Sequence, residues 1–108
     1  MRNIELPKHS MQFGPTDTER EIQIENKGYV TDVMFKLPNF ANNVNGTISI
    51  CDEDGDNLYD SGPRAKGEAH VLANINVPAA FNFKVKCTLS GAPGGVGGTV
   101  KVRLAIDC

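Results

Sequence analysis

Thr47-Ile-Ser-Ile-Cys-Asp-Glu-Asp-Gly-Asp-Asn-Leu-Tyr-Asp-Ser-Gly62 alternates apolar and polar residues, reverses at Asp54-Gly55 and returns through Leu58-Tyr59. This is the pattern of a β-hairpin. Successive strand side chains point to opposite faces, and Asp-Gly supplies the backbone freedom that a tight reversal needs. The same grammar recurs outward from this point. Phe83, Val85, Cys87 and Leu89 alternate up to a glycine-rich reversal, and Val100, Val102, Leu104 and Ile106 alternate beyond it, which reads as a final hairpin. Glu21-Ile-Gln-Ile-Glu25 and Tyr29-Val-Thr-Asp-Val-Met-Phe-Lys36, joined through Asn26-Lys27-Gly28, read as another.

Residues 1–19 carry only a brief alternation at Ile4 and Leu6, the breaker Pro7 and the turn Gly14-Pro15-Thr16-Asp17, and read as an N-terminal arm or edge strand. Residues 20–108 form the domain proper. A short strand is expected around Val71 and Leu72, and Asn76-Val77-Pro78-Ala79-Ala80 reads as a connection. No segment shows apolar residues at helical spacing with caps. The expected fold is all-β: an antiparallel β-sandwich of seven or eight short strands, with jelly-roll or immunoglobulin-like topology. Its expected core is Ile22, Ile24, Val33, Phe35, Ile48, Ile50, Leu58, Val71, Phe83, Val85, Cys87, Leu89, Val100, Val102, Leu104 and Ile106.

The 108 residues fit one domain, and 40% hydrophobic against 22% charged residues is the balance of a globular chain. A net charge of -2 provides no overall basic field for collecting nucleic acid. Lys84, Lys86, Lys101 and Arg103 alternate with apolar positions and read as the solvated faces of two strands. There is no apolar run of signal-peptide length at the N-terminus and none of about 20 residues elsewhere, so a cytosolic protein without membrane contact is expected. Three cysteines cannot all pair within the chain. Cys51 is out of step with Ile48 and Ile50 while Cys87 is in step with its neighbours, which disfavours a bond between them unless a bulge intervenes. Free thiols are expected.

Candidate chemistry is sparse. Asp52-Glu53-Asp54-Gly55-Asp56 has the oxygen density of a calcium loop, but Asn57 stands where an EF-hand needs glycine, and turn formation explains the residues. Gly91-Ala-Pro-Gly-Gly-Val-Gly-Gly98 lacks the lysine and hydroxyl of a P-loop, and Val100 stands where a dinucleotide fingerprint needs glycine. It reads as a long, mobile connection, with loops of this kind able to carry binding function. His9 and His70 have no ligand spacing around them, the cysteines form no zinc pairs, and Ser61 lacks a nucleophile elbow. No catalytic residue, metal or cofactor is indicated, and an interaction module rather than an enzyme is the reading.

Val44-Asn-Gly-Thr-Ile-Ser-Ile-Cys-Asp-Glu-Asp-Gly-Asp-Asn-Leu-Tyr-Asp-Ser-Gly62, followed by Thr88-Leu-Ser-Gly-Ala-Pro-Gly-Gly-Val-Gly-Gly-Thr-Val-Lys-Val-Arg-Leu-Ala-Ile106, resembles small structural proteins of tailed-bacteriophage virions. The resemblance covers about the last two thirds of the chain. It implies a β-sandwich assembled in the host cytoplasm, located on the virion and partnered with the major capsid protein or another virion protein. A capsid decoration, or cement, protein that bridges coat subunits is the leading expectation, as a small homo-oligomer with a trimer among the options. The expected contacts are the arm and the loops at one end of the sandwich, with Met11, Phe13, Ala92, Pro93 and Val96 as candidates. For Met11 and Phe13 two places are open: packing on their own domain, which is the first reading, and packing on a neighbour. A tail or head-tail connector component is the competing virion role. A carbohydrate-binding module is the third reading, with only Tyr29 and Tyr59 and no Trp to stack on sugars.

Overall fold

The computed structural model describes residues 4–25, 28–79 and 82–107. All regular structure among them is β: β1 (Ile4–Glu5), β2 (Lys8–Phe13), β3 (Glu19–Ile24), β4 (Gly28–Lys36), β5 (Gly46–Cys51), β6 (Asn57–Asp60), β7 (Ala69–Leu72), β8 (Val77–Ala79), β9 (Phe83–Leu89) and β10 (Gly98–Asp107). All pairings are antiparallel, and they build two sheets. One sheet runs β1-β10-β4-β7, with β2 also on β10 and β8 also on β4; the other runs β3-β9-β5-β6. The expected β-sandwich is the observed fold.

Two edges of the first sheet are single strands interrupted by local chemistry. β1 and β2 follow β10 in one unbroken register, Ile4 opposite Asp107 and Lys8 opposite Arg103, with Pro7 between them. Proline has no N–H to donate, but its carbonyl still accepts from Leu104 N at 3.2 Å. β7 and β8 share the other side of β4 and are separated by a bend in which Asn74 and Asn76 take positive φ. Ile75 N bonds Thr31 O at 2.9 Å and Asn74 N bonds Asp32 Oδ1 at 2.8 Å, so the bend stays tied to β4.

Counting each interrupted edge once leaves eight strand positions, ordered first-eighth-third-sixth in one sheet and second-seventh-fourth-fifth in the other. That is a jelly roll. Each strand of the first half pairs with its counterpart in the second: β2 with β10, β3 with β9, β4 with β7 and β8, β5 with β6. The chain is one long antiparallel ribbon rolled into two layers, and the Asp52–Asp56 turn is its tip.

This topology corrects two expected hairpins. β3 and β4 lie in different sheets, as do β9 and β10, so both connections cross the sandwich. Asn26 and Lys27 of the first connection lie outside the described residues, as does Ala80 beyond β8. Residues 77–79, expected to be a connection, form β8. The β5–β6 hairpin stands as expected, with Ser49 opposite Asp60 and Ile50 opposite Tyr59.

The inner faces hold one continuous core that includes Ile24, Val33, Phe35, Ile48, Ile50, Phe83, Val85, Cys87, Leu89, Val100, Val102, Leu104 and Ile106. Leu58 and Val71 were expected there and are exposed, at 44% and 64%. Tyr59 pairs with inward-facing Ile50 and packs on the core, which turns its neighbour Leu58 outward; the register then shifts between Ile50 and Cys51. Leu72 rather than Val71 faces the core, opposite Val33, while Val71 stands opposite Met34 on the outside. A second shift on β4, bonded through Thr31 Oγ1 to Ala105 O at 3.2 Å, reverses side-chain parity so that Val30 and Val33 both point inward. Leu37, Phe40 and Val44, from the connection to β5, close one end of the core.

Candidate functional site

Three of the five expected contact residues are closed off by the fold. β2 lies along β10 for six residues and points alternate side chains inward, so Met11 and Phe13 are 3% and 1% exposed. Phe13 meets Phe40 edge to face, with ring centroids 6.3 Å apart. Packing on their own domain is thus the alternative realised. Pro93 is buried too, whereas Ala92 is exposed and Val96 is 96% exposed.

The glycine-rich segment that carries Ala92, Pro93 and Val96 is a crossing between sheets, pinned at several points. Asn42 N donates to Pro93 O at 2.8 Å, Asn42 Nδ2 to Ala92 O at 3.0 Å, and Gly94 N to Pro15 O at 3.0 Å. Lys66 Nζ holds the connection that carries Asn42, donating to Phe40 O at 2.6 Å and Asn42 O at 3.1 Å. The result is a tethered loop with a bare Val96 at its tip.

The two outer faces of the sandwich treat charge in opposite ways. On the β3-β9-β5-β6 sheet, Lys84 and Lys86 of β9 face the acidic edge of β3, with Lys84 Nζ 3.9 Å from Glu21 and Lys86 Nζ 3.1 Å from Glu19. The Glu19 carboxylate raises the pKa of Lys86 by hydrogen bonding and by its charge. These lysines are a solvated face, as their alternation implies. On the other sheet, Lys101 stands directly opposite Lys36, and Arg103 directly opposite Lys8. None of these four cations has a carboxylate partner among the described residues. Like charges directly opposed on adjacent strands destabilise a sheet.

These side chains surround a trough of about 490 Å³ that runs over the outside of β2, β10, β4 and β7, floored in part by Met34 and Val71. Sequence reading found Lys101 and Arg103 but gave them the same role as Lys84 and Lys86. It missed Lys8 and Lys36 altogether, because the pairing that brings them together spans the whole chain.

Several of the remaining polar groups shape the fold. Asp52 Oδ1 accepts from Asp54 N and Asp56 N, each at 2.9 Å, so the first carboxylate of the acidic tip shapes its own turn. His70 Nε2 lies 2.9 Å from Ala65 O, while His9, on the other side of the sheet's inner row, has a buried Nε2 without a hydrogen-bond partner. Cys51 and Cys87 are free, buried thiols; burial raises the pKa of both, that of Cys87 to about 12. Cys108 lies outside the described residues. Tyr29 and Tyr59 sit in different sheets, Tyr29 exposed and Tyr59 packed on the core, so they form no joint stacking platform.

Neither a family model nor a curated protein sequence matches the chain. Solved structures do share its fold. A chain of the capsid asymmetric unit of cyanophage Pam1 aligns with a TM-score of 0.62 at 16% identity, covering 98% of this chain and 85% of that one. A chain from the acid-stable capsid of Helicobacter pylori bacteriophage KHP30 aligns with a TM-score of 0.61 at 12% identity, covering 100% and 94%. The same fold also occurs in the complex of Aeromonas sobria serine protease with its chaperone, with a TM-score of 0.56 at 8% identity, over 27% of that chain.

Proposed function

We propose that this protein is a structural component of a bacteriophage virion, and that it decorates the head shell and stabilises it by bridging neighbouring coat subunits. The observation that carries this reading is the extent of the fold likeness. In both phage capsid chains the correspondence spans nearly the whole of each partner, so the capsid chains it resembles are, like this one, little more than a single sandwich. The protease complex, by contrast, matches over about a quarter of a longer chain.

A decorating protein works by area rather than by chemistry. Each copy buries part of its surface on two coat subunits at once, so separating the subunits must also break the new contacts, and several weak contacts held together act as a strong one. The exposed features suited to this are the tethered Ala92–Val96 tip and the basic trough. The trough is set on paired strands and the tip is tethered by hydrogen bonds, which keeps the entropy lost on binding small.

The test is to add the purified protein to heads that lack it, image them, and measure their resistance to heat. Saturable density on a symmetry-related lattice, with heads surviving at higher temperature, is the expected result. Density confined to one vertex or to the tail moves the protein to the connector class, and no binding to heads or tails ends the reading.

A further inference from the structure

We propose that the basic trough is a docking site for the acidic β5–β6 tip of a second copy of this chain. The inference is independent of where the protein sits in a virion, because both halves of the contact are its own.

At the trough, cations oppose cations: Lys36 stands against Lys101 and Lys8 against Arg103. The chain neutralises the equivalent lysines on its other outer face through Glu19 and Glu21. Four cations around one concavity, opposed to each other and without carboxylate partners among the described residues, form a surface that an anion would relieve. Its counterpart is on the same chain. Glu53, Asp54 and Asp56 are exposed at the turn, and Asp52 holds the turn backbone in place through its bonds to Asp54 N and Asp56 N, so the three are presented from a preformed loop.

The two patches cannot meet within one molecule. The tip belongs to the β3-β9-β5-β6 sheet, which covers the inner face of the other sheet, while the trough lies on that sheet's far side. Complementary patches on opposite layers of one body, 46 Å in its longest dimension, can be satisfied only between copies. A nucleic-acid strand is the less suited occupant. The chain's net charge of -2 gives it no overall basic field to collect a polyphosphate.

The experiment is sedimentation of the full chain alone, over a range of concentrations, at about 0.01 M and about 1 M salt, where the screening length falls from about 30 Å to about 3 Å. Self-association at low salt should weaken about tenfold or more at high salt, the scale expected for several exposed ion pairs. The double variants Lys36→Glu/Lys101→Glu and Asp54→Lys/Asp56→Lys change exposed residues only, and circular dichroism checks that each is folded. Each should be monomeric by itself, since like charges then meet in the contact. Mixed together they should associate, because each supplies the patch the other has reversed. A wild type that is monomeric at every salt concentration, or association that neither variant disturbs, overturns the proposal. So does a monomeric wild type that binds duplex DNA through the same lysines, which would assign the trough to a phosphate backbone.

Discussion

Replacing Gly97 by alanine separates the two reasons a turn can need glycine. Gly97 has φ +76°, and a Cβ there would lie 1.9 Å from Phe13 O and 2.9 Å from Phe13 C, in backbone that cannot rotate away. Gly55, at the tip of the β5–β6 turn, has φ +91° with no atom within 4 Å of its would-be Cβ. Both alanine variants bear the left-handed conformation, at about 1–2 kcal/mol, and both gain equally from a stiffer unfolded chain. Only Gly97→Ala must also push β2 off the crossing loop, displacing Phe13 from Phe40, and overpacking of that kind costs about 1–3 kcal/mol more. The expected loss is therefore about 2–5 kcal/mol for Gly97→Ala and about 1–2 kcal/mol for Gly55→Ala. Urea titrations followed by circular dichroism measure both, and in a domain of this size the Gly97 variant should melt on the order of 10 °C lower than wild type. Equal midpoints for the two variants would refute the claim that close approach to β2, rather than φ alone, fixes residue 97 and with it the position of the Val96 tip.

Other perturbations test the packing and the charge pattern. Phe40→Ala should cost about 3–5 kcal/mol, while Leu58→Ala, on the outside, should stay within about 0.5 kcal/mol of wild type in the same titration; a large loss at Leu58 would contradict its placement. Cys87 should resist alkylation until the protein unfolds. Its unfolded thiol ionises near pH 9.0 and its buried one near 12, so between those values the folded state keeps a proton that the unfolded state releases. Stability is therefore full below about pH 9 and falls as pH rises, by about 1.4 kcal/mol per unit. Cys87→Ala should flatten that fall relative to wild type, and identical slopes would refute the assignment. Lys36→Glu should raise the stability of the isolated chain by about 0.2–1 kcal/mol, because it turns a repulsive cross-strand pair with Lys101 into an attractive one. Lys86→Glu should lower stability, since it sets three carboxylates together on β3 and β9. If both lysine changes act in the same direction, the contrast between the two faces is wrong.

How far the fold was legible in the sequence follows from the rolled ribbon. Alternation at Ile48–Ile50, Phe83–Leu89 and Val100–Ile106 reports which side chains face inward, and nearly all of those residues are in the core. It says nothing about which strand lies beside which. Adjacent strands in sequence are the natural first guess for pairing, and in a jelly roll that guess holds only at the centre of the ribbon, where β5 meets β6. The misplacements of Leu58 and Val71 have a second origin: each neighbours the residue that does face the core, Tyr59 or Leu72, and the alternation of so short a strand does not fix its parity. Met11 and Phe13 were read as arm residues because Pro7 looks like an end to structure, yet at a sheet edge a missing N–H costs only the bond it would have made.

The trough shows the same limit at the level of function. In the sequence Lys36 and Lys101 are each an ordinary polar position beside apolar neighbours, and nothing local distinguishes them from Lys84 and Lys86. What distinguishes them is the partner that register places opposite: a carboxylate strand for one pair, another cation for the other. Mixed-sign pairing is available to any exposed antiparallel face, and this chain uses it on one side. Leaving the opposite face repulsive has a stability cost, and that cost is the ground for proposing an anionic partner outside the monomer, docked on the flat of the first sheet rather than only at the loops where sequence reasoning had looked.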